Sequence, residues 1–326
     1  MKTIPITDIA GFKIGQAEDA AAGTGCTVIL ADGDMAAGLD VRGGGPASRE
    51  SELLKPTAAA QKIHAVVLAG GSAFGLAAAD GVLQYLEERG IGYDVGITKV
   101  PLVCQSDLFD LTVGDHTVRP DAKMAYAACQ NAEAGNYRDG NYGAGCGATL
   151  GKWLGMEFCM KSGIGSAAVQ VGGFKIGAIV ALNALGDIFD PDSGEKIAGL
   201  LSSDKKSFRS TEELLYAVSE AIENKFTGNT TLGAVLMNAD FNKTQLCKIA
   251  SMAHNGYARC IRPVHTSADG DSIYALSNGT LRTDADMAGT LAARVTEMAI
   301  VSAVKNAVSA YGFPSRQALL ADRNGK

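Results

Sequence analysis

Apolar runs alternate with polar turns along this chain, and the spacing of the apolar positions switches repeatedly between strand-like and helix-like. Ala65-Val66-Val67-Leu68-Ala69 is a short unbroken apolar run closed by Gly70-Gly71, the pattern of a buried strand. From Ser72, whose hydroxyl suits a helix cap, Phe74, Ala77, Ala78, Val82 and Leu86 recur at helical spacing and predict a helix to about Arg89. Ala122 to Ala134 predicts a second helix. Ile176 to Leu182 and Leu232 to Met237 are apolar throughout and predict two more buried strands. Lys243 to Tyr257, with Leu246, Ile249, Ala250 and Ala253 on one side, predicts a third helix. The longest spans Asp286 to Ala310, with Leu291, Val295, Met298, Val301, Val304 and Val308. Residues 201–228 break the alternation. They are polar and charged, with only a turn or two of amphipathic pattern around Leu214, Leu215 and Val218, and predict an exposed linker. Alternating strands and alanine-rich helices make this an α/β chain.

Composition adds little to that outline but closes off several functions. Of 326 residues, 47% are hydrophobic, 20% charged and 6% aromatic, and 40 are glycine, which suggests closely packed layers with tight loops rather than disorder. A net charge of −6 and the lack of any basic stripe argue against a nucleic-acid surface. The N-terminus Met1-Lys2-Thr3-Ile4-Pro5 has no secretory pattern and no apolar stretch reaches the ~18–20 residues of a membrane span, so a cytoplasmic protein that engages no membrane is expected. Seven scattered cysteines without a C-x-x-C pair point to reduced, buried thiols.

Cofactor and metal signatures fail at fixed positions. Gly143-Ala144-Gly145-Cys146-Gly147-Ala148 and the run from Gly163 to Ala168 have dinucleotide-like glycine spacing, yet neither follows a clear strand or has an acidic partner at the right distance. Gly151-Lys152 resembles the end of a phosphate loop, but Cys146 replaces the first glycine and Trp153 stands where Ser or Thr would hold magnesium. His64, His116, His254 and His265 fall at no recognised ligand spacing, and Asp269-Gly270-Asp271 offers only half of a hard-cation site. His254, on a helix, reads as a packing or capping residue. No cofactor and no metal are expected.

Gly228-Asn229-Thr230-Thr231 carries the most chemistry, because it places a hydroxyl directly behind an asparagine at the mouth of an apolar strand. If the Asn229–Thr230 bond breaks, Thr230 gains a free α-amine beside its own hydroxyl and unites nucleophile and base in one residue. A polar loop with an Asn turn before a core strand is the other reading of this segment.

Six motifs decide between the two. Val41-Arg42-Gly43-Gly44, His64 to Leu76, Gly143 to Ala148, Asn183-Ala184-Leu185-Gly186-Asp187, Asn229 to Gly233, and Pro263-Val264-His265-Thr266 with Asp269-Gly270-Asp271 occur in order. Together they resemble the L-aminopeptidase/D-esterase family, whose relatives include β-aminopeptidases and the endo-type nylon-oligomer hydrolase, over nearly the whole chain. The resemblance implies a four-layer sandwich of two β-sheets flanked by helices, also similar to ornithine acetyltransferase. It implies one hydrolase domain, residues 1–326, that cuts itself into an α chain (1–229) and a β chain (230–326) and assembles as a tetramer of αβ heterodimers. Small amides, short peptides, esters or ω-amino-acid oligomers would be its substrates.

By the same resemblance Thr230 forms the acyl-enzyme, Asn183 donates to the oxyanion, Asp269 and Asp271 position the nucleophile and relay protons, and Lys152 supports the oxyanion or a neighbour's pKa. Phe109 stands where some relatives carry a tyrosine, which leaves substrate preference open. The Gly70-Gly71-Ser72 turn would line the pocket with N–H groups, although close packing explains its glycines equally well. An acyl transferase on the same scaffold, and a non-catalytic ligand-binding protein using its glycine loops, are the rival functions.

Overall fold

Both faces of the central strands are apolar, and the architecture follows from where each face goes. The computed structural model describes residues 1–218 and 228–324. Ten strands form one continuous sheet: β1 (Lys2–Ile4), β2 (Phe12–Asp19), β3 (Thr24–Val41), β4 (Ala47–Arg49), β5 (Lys62–Ala69), β6 (Val103–Asp107), β7 (Ile164–Val171), β8 (Phe174–Ala181), β9 (Leu232–Ala239) and β10 (Ser272–Leu281). Their spatial order is β1-β7-β8-β9-β10-β3-β5-β6-β4, with β2 also on β3. The pairs β9–β10 and β5–β6 are parallel, and the remaining pairs are antiparallel. The helices are α1 (Ala78–Glu87), α2 (Ala122–Glu133), α3 (Thr211–Tyr216), α4 (Lys243–Cys260) and α5 (Ala285–Asn306).

The two expected sheets are two halves of this ladder, joined through β3. Its residues 24–31 pair with β2, while residues 36–41 pair with β10, and the register on β5 shifts between Leu30 and Met35. Folding the ladder at that shift stacks one half on the other. Period-two alternation then sorts the side chains into layers. Ile179, Leu232, Leu236, Tyr274, Ile29 and Val66 meet between the halves. Val180, Val235 and Ile273 face outward onto α4 and α5, and Val28, Val67 and Ala69 face outward onto α1 and α2. Helix, sheet, sheet, helix is the four-layer order expected from the resemblance.

Small residues let the layers approach. A methyl group at Gly38 would run into the α4 backbone at Cys247, and one at Gly165 into α5 at Ala303, so these strands have glycine where a helix lies directly on them.

The strand and helix expectations hold with shifted ends, and two details differ. Ser72 caps nothing. Gly71 and Ser72 both take left-handed φ values of 83° and 53°, a 3-10 segment runs from Ser72 to Ala77, and the α-helix begins only at Ala78. The Ala79 N–H is met instead by Gln105 Oε1 from β6 at 2.8 Å. Phe74, which falls in that 3-10 segment, is 57% exposed and lies under the Arg119 guanidinium. Part of the expected linker is also tied down: Thr211, at the start of α3, gives both its N–H and its hydroxyl to the buried Asp187 carboxylate. Residues 219–227 of that linker lie outside the described residues.

Candidate active site

Four neighbouring strands bring their polar ends to one place. Leu232 of β9 is level with Ser272 of β10, Ala181 of β8 with Leu232, and Val41 of β3 with Ser272. Consequently Thr230-Thr231, Asp269 to Asp271, Asn183 and Arg42 to Gly45 gather at the same end of the sheet. The two segments that enter the parallel pair β9 and β10 bring the hydroxyls beside the carboxylates.

Thr230 sits at this meeting point with an unusual backbone. Its φ is +149°, a conformation that a β-branched residue adopts only when its surroundings enforce it. The enforcing contacts are short. Thr230 N–H donates to the Asn183 carbonyl at 3.0 Å, the Gly270 N–H donates to Thr230 Oγ1 at 3.0 Å, and the next N–H, of Thr231, donates to Asp271 Oδ1 at 2.8 Å. Asn229, Thr230, Asp269 and Asp271 are all buried.

Lys152 reaches the segment just before Thr230. Its Nζ donates to Asn183 Oδ1 at 2.6 Å and to the carbonyl of Gly228, one residue before Asn229, at 2.8 Å. Burial pushes the Lys152 ammonium down to about 7, against the favourable charges of Cys159, Asp269 and Asp110. Burial, and secondarily the charge of Asp271, pushes Asp269 up to about 6 although Thr266 gives it two hydrogen bonds. An amine and a carboxyl poised near neutrality in one buried cluster is the pattern of proton-transfer chemistry.

The structure brings Thr230, Asn229, Asn183, Lys152, Asp269 and Asp271 together, with roles that differ in detail from the expectation. The Asn183 side-chain N–H donates to the Phe109 carbonyl at 2.9 Å, while its Oδ1 accepts from Lys152 and from the Thr149 N–H. Asn183 thus spends one of the two Nδ2 hydrogens on Phe109 while its Oδ1 holds Lys152. Phe109 enters through its main chain. Gly70, Gly71 and Ser72 offer no spare donors, because their N–H groups go to the Gly25 carbonyl, to Asp110 Oδ1 and to the Leu108 carbonyl. Close packing explains this turn: a methyl group on Gly70 would collide with the Asp110 carboxylate.

Two contributors stand in motifs of the sequence analysis without having been given a role there. Gly270 supplies the N–H on Thr230 Oγ1, and a Cβ there would lie 2.6 Å from that oxygen. Arg42 to Gly45 form a strap: the Arg42 and Gly43 N–H groups donate to the Asp271 carbonyl, Gly44 to Thr266 and Gly45 to Asp269. The glycine cluster needs its small residues here, since a Cβ on Gly44 would lie 2.7 Å from Ser267 Cα.

Comparison with known proteins gives one consistent result. The family model described as peptidase family S58 matches residues 5–318. An uncharacterised aminopeptidase from Mycobacterium bovis is 36% identical over 316 residues, covering 92% of this chain and 88% of the relative. A 6-aminohexanoate-oligomer endohydrolase from Kocuria is 29% identical over 320 residues, covering 91% and 85%. Among solved structures, the Burkholderia β-aminopeptidase superposes with a TM-score of 0.71 at 20% identity, covering 98% of this chain and 93% of that one. The L-aminopeptidase D-Ala-esterase/amidase from Ochrobactrum anthropi, described as a variant of the Ntn-hydrolase fold, gives a TM-score of 0.72 at 17% identity over 98% and 94%.

Proposed function

The chain belongs to peptidase family S58 and is a hydrolase acting on amide bonds, and we propose that it makes its own nucleophile by cutting the Asn229–Thr230 bond. In this reading the Thr230 hydroxyl oxygen attacks the Asn229 carbonyl carbon. The C–N bond to Thr230 breaks as its nitrogen takes up a proton, and the resulting ester is cleaved by water into an Asn229 carboxylate and a Thr230 amine with its hydroxyl restored. The mature residue repeats the sequence on substrate: its amine takes the hydroxyl proton, the oxygen forms an acyl-enzyme, and water releases the acid.

The observation that carries the proposal is the strained Thr230 itself, at φ +149°, gripped by Asn183, Gly270 and the Asp271-bound Thr231. Strain next to a scissile bond is relieved when that bond breaks. Lys152 adds a second support. In the uncut chain its ammonium and the Thr230 N–H both approach the Asn183 carbonyl, at 3.4 and 3.0 Å. A positive charge so close to the future amine favours the amine's neutral, proton-accepting form. Asp269, whose carboxyl burial raises and whose charge reaches Lys152, is the complementary proton-carrying site in this reading.

Substrates are proposed to be short amides with small acyl groups, including amino-acid amides, short peptides and ω-amino-acid oligomers, the last by analogy with the 6-aminohexanoate-oligomer endohydrolases. A tetramer of αβ heterodimers is the proposed assembly, readable by light scattering. The test of the central claim is a denaturing gel with intact-mass analysis. Wild type is expected to give fragments ending at Asn229 and beginning at Thr230, and Thr230→Ala to give one uncut, inactive chain. A cut, active Thr230→Ala protein would end the proposal.

A further inference from the structure

Behind the nucleophile lies a polar cluster to which the reaction described above assigns nothing. Asp271 uses only one carboxylate oxygen on Thr231; the other, Oδ2, takes the His265 N–H at 3.2 Å and faces His265 Nδ1 at 2.9 Å. His265 in turn stands edge-on to His254, with ring centroids 4.8 Å apart, and 6.0 Å from the Tyr257 ring. His254 is fully buried on α4 with Nε2 on the Asp40 carbonyl at 3.0 Å. Four buried polar atoms of this cluster have no hydrogen-bond partner among the described residues: Thr231 Oγ1, His254 Nδ1, Tyr257 OH and His265 Nε2. Orphaned polar atoms rarely persist in a core without a purpose, and three of these four lie on rings packed against one another.

We propose that His265 is a positioning residue of the catalytic centre: its Nδ1–H fixes the Asp271 carboxylate that grips the Thr231 amide. This inference rests on Thr230 being the nucleophile. A carboxylate oxygen accepts, so the ring nitrogen that faces it, Nδ1, is the one that carries the hydrogen. The groups facing His265 are Asp271 from the start of β10 and His254 and Tyr257 from α4, with Asp40 and Arg42 of the β3 end beyond His254. His254 stays neutral. Its burial, and the neighbouring His265, hold it down to about 4.

The experiment compares wild type, His265→Asn and His265→Ala in the fully processed enzyme, as kcat and KM on an amino-acid p-nitroanilide at pH 8. His265 has a left-handed φ of 57°, which asparagine tolerates, and the asparagine Nδ2 reproduces the Nδ1–H donor. His265→Ala, lacking the donor, is expected to lose about tenfold or more in kcat with KM little changed, and His265→Asn to restore kcat to within about threefold of wild type. His265→Ala within about twofold of wild type, or His265→Asn as slow as His265→Ala, overturns the proposal; if His265→Ala fails to fold, kcat of His265→Asn decides, a loss of about tenfold or more overturning it. Thr230→Ala run in parallel separates this failure from failure of the nucleophile assignment, since only the latter leaves Thr230→Ala active.

Discussion

Two lysines in this molecule are equally buried and equally perturbed, and only one of them adjoins the chemistry. Lys152 and Lys161 both have side chains out of contact with solvent, and burial pushes both down to about 7. Lys161, on the short strand beside the glycine-rich segment 143–148, donates to three main-chain carbonyls: Gly145, Ala148 and Ser162. It closes a loop. Lys152 donates to a side chain, Asn183 Oδ1, and to Gly228, one residue before the proposed scissile bond. A depressed lysine is therefore not by itself a catalytic signal. What separates the two is the partner: the Lys161 carbonyls close a loop, whereas Lys152 is held by Gly228, beside Asn229-Thr230, and by Asn183, whose carbonyl accepts the Thr230 N–H.

Lys152→Met breaks the reactive half of this comparison and carries the largest expected effect. Removing the ammonium withdraws the group proposed to keep the Thr230 amine neutral and releases Asn183, so the chain should remain uncut or turn over at least about 10²-fold more slowly. Fragment appearance by mass spectrometry and steady-state rates check this, with circular dichroism confirming the fold. Normal processing and near-wild-type rates in Lys152→Met would reduce Lys152 to a second Lys161.

Gly270→Ala sharpens the same comparison without touching any charge. The added methyl lies 2.6 Å from Thr230 Oγ1 and 2.8 Å from the Gly45 carbonyl, so hydroxyl or strap must move. Displacing a nucleophile by a fraction of an ångström is expected to lower kcat about tenfold to a hundredfold while KM changes little. Rates close to wild type would mean that the Gly270 N–H on Thr230 Oγ1 is incidental.

The contrast also explains what the sequence disclosed. The buried strands were legible because Ile176 to Leu182 and Leu232 to Met237 are apolar throughout, whereas the layer order came only through the resemblance, since Val180, Val235 and Ile273 on one face and Ile179, Ala234 and Tyr274 on the other are all apolar. Thr230, Asn183, Lys152, Asp269 and Asp271 were legible only through the order of six motifs, since they lie far apart in sequence and meet because β8, β9 and β10 share a register. The finer assignments were not legible. Whether the Asn183 amide faces the scissile carbonyl or the Phe109 carbonyl depends on rotamers, and the His265–Asp271–His254–Tyr257 cluster depends on α4 lying against the loop before β10. Gly270 looked like the turn between two aspartates, and only the distance to Thr230 Oγ1 shows why a side chain is not tolerated.

Lys161→Met tests the structural half and carries the smallest effect on catalysis. Processing and kcat should stay within about twofold of wild type, because no Lys161 contact reaches Thr230. The substitution should instead appear in the pH dependence of stability. Folding lowers the Lys161 pKa from the ordinary 10.5 to about 7, so between those values the unfolded chain holds a proton that the folded chain has released. Stability must therefore rise with pH across that window, and the penalty for burying the charged amine is fully present below it. Methionine cannot titrate, so the variant's thermal midpoint should climb less steeply than that of wild type from pH 7 to 10, whatever constant cost its three abandoned carbonyls impose. Lys152 and the cysteines are common to both proteins, and the difference between the two curves isolates Lys161. Parallel curves would mean that Lys161 keeps its proton, held by its three carbonyls, and that burial had not deprotonated it at all.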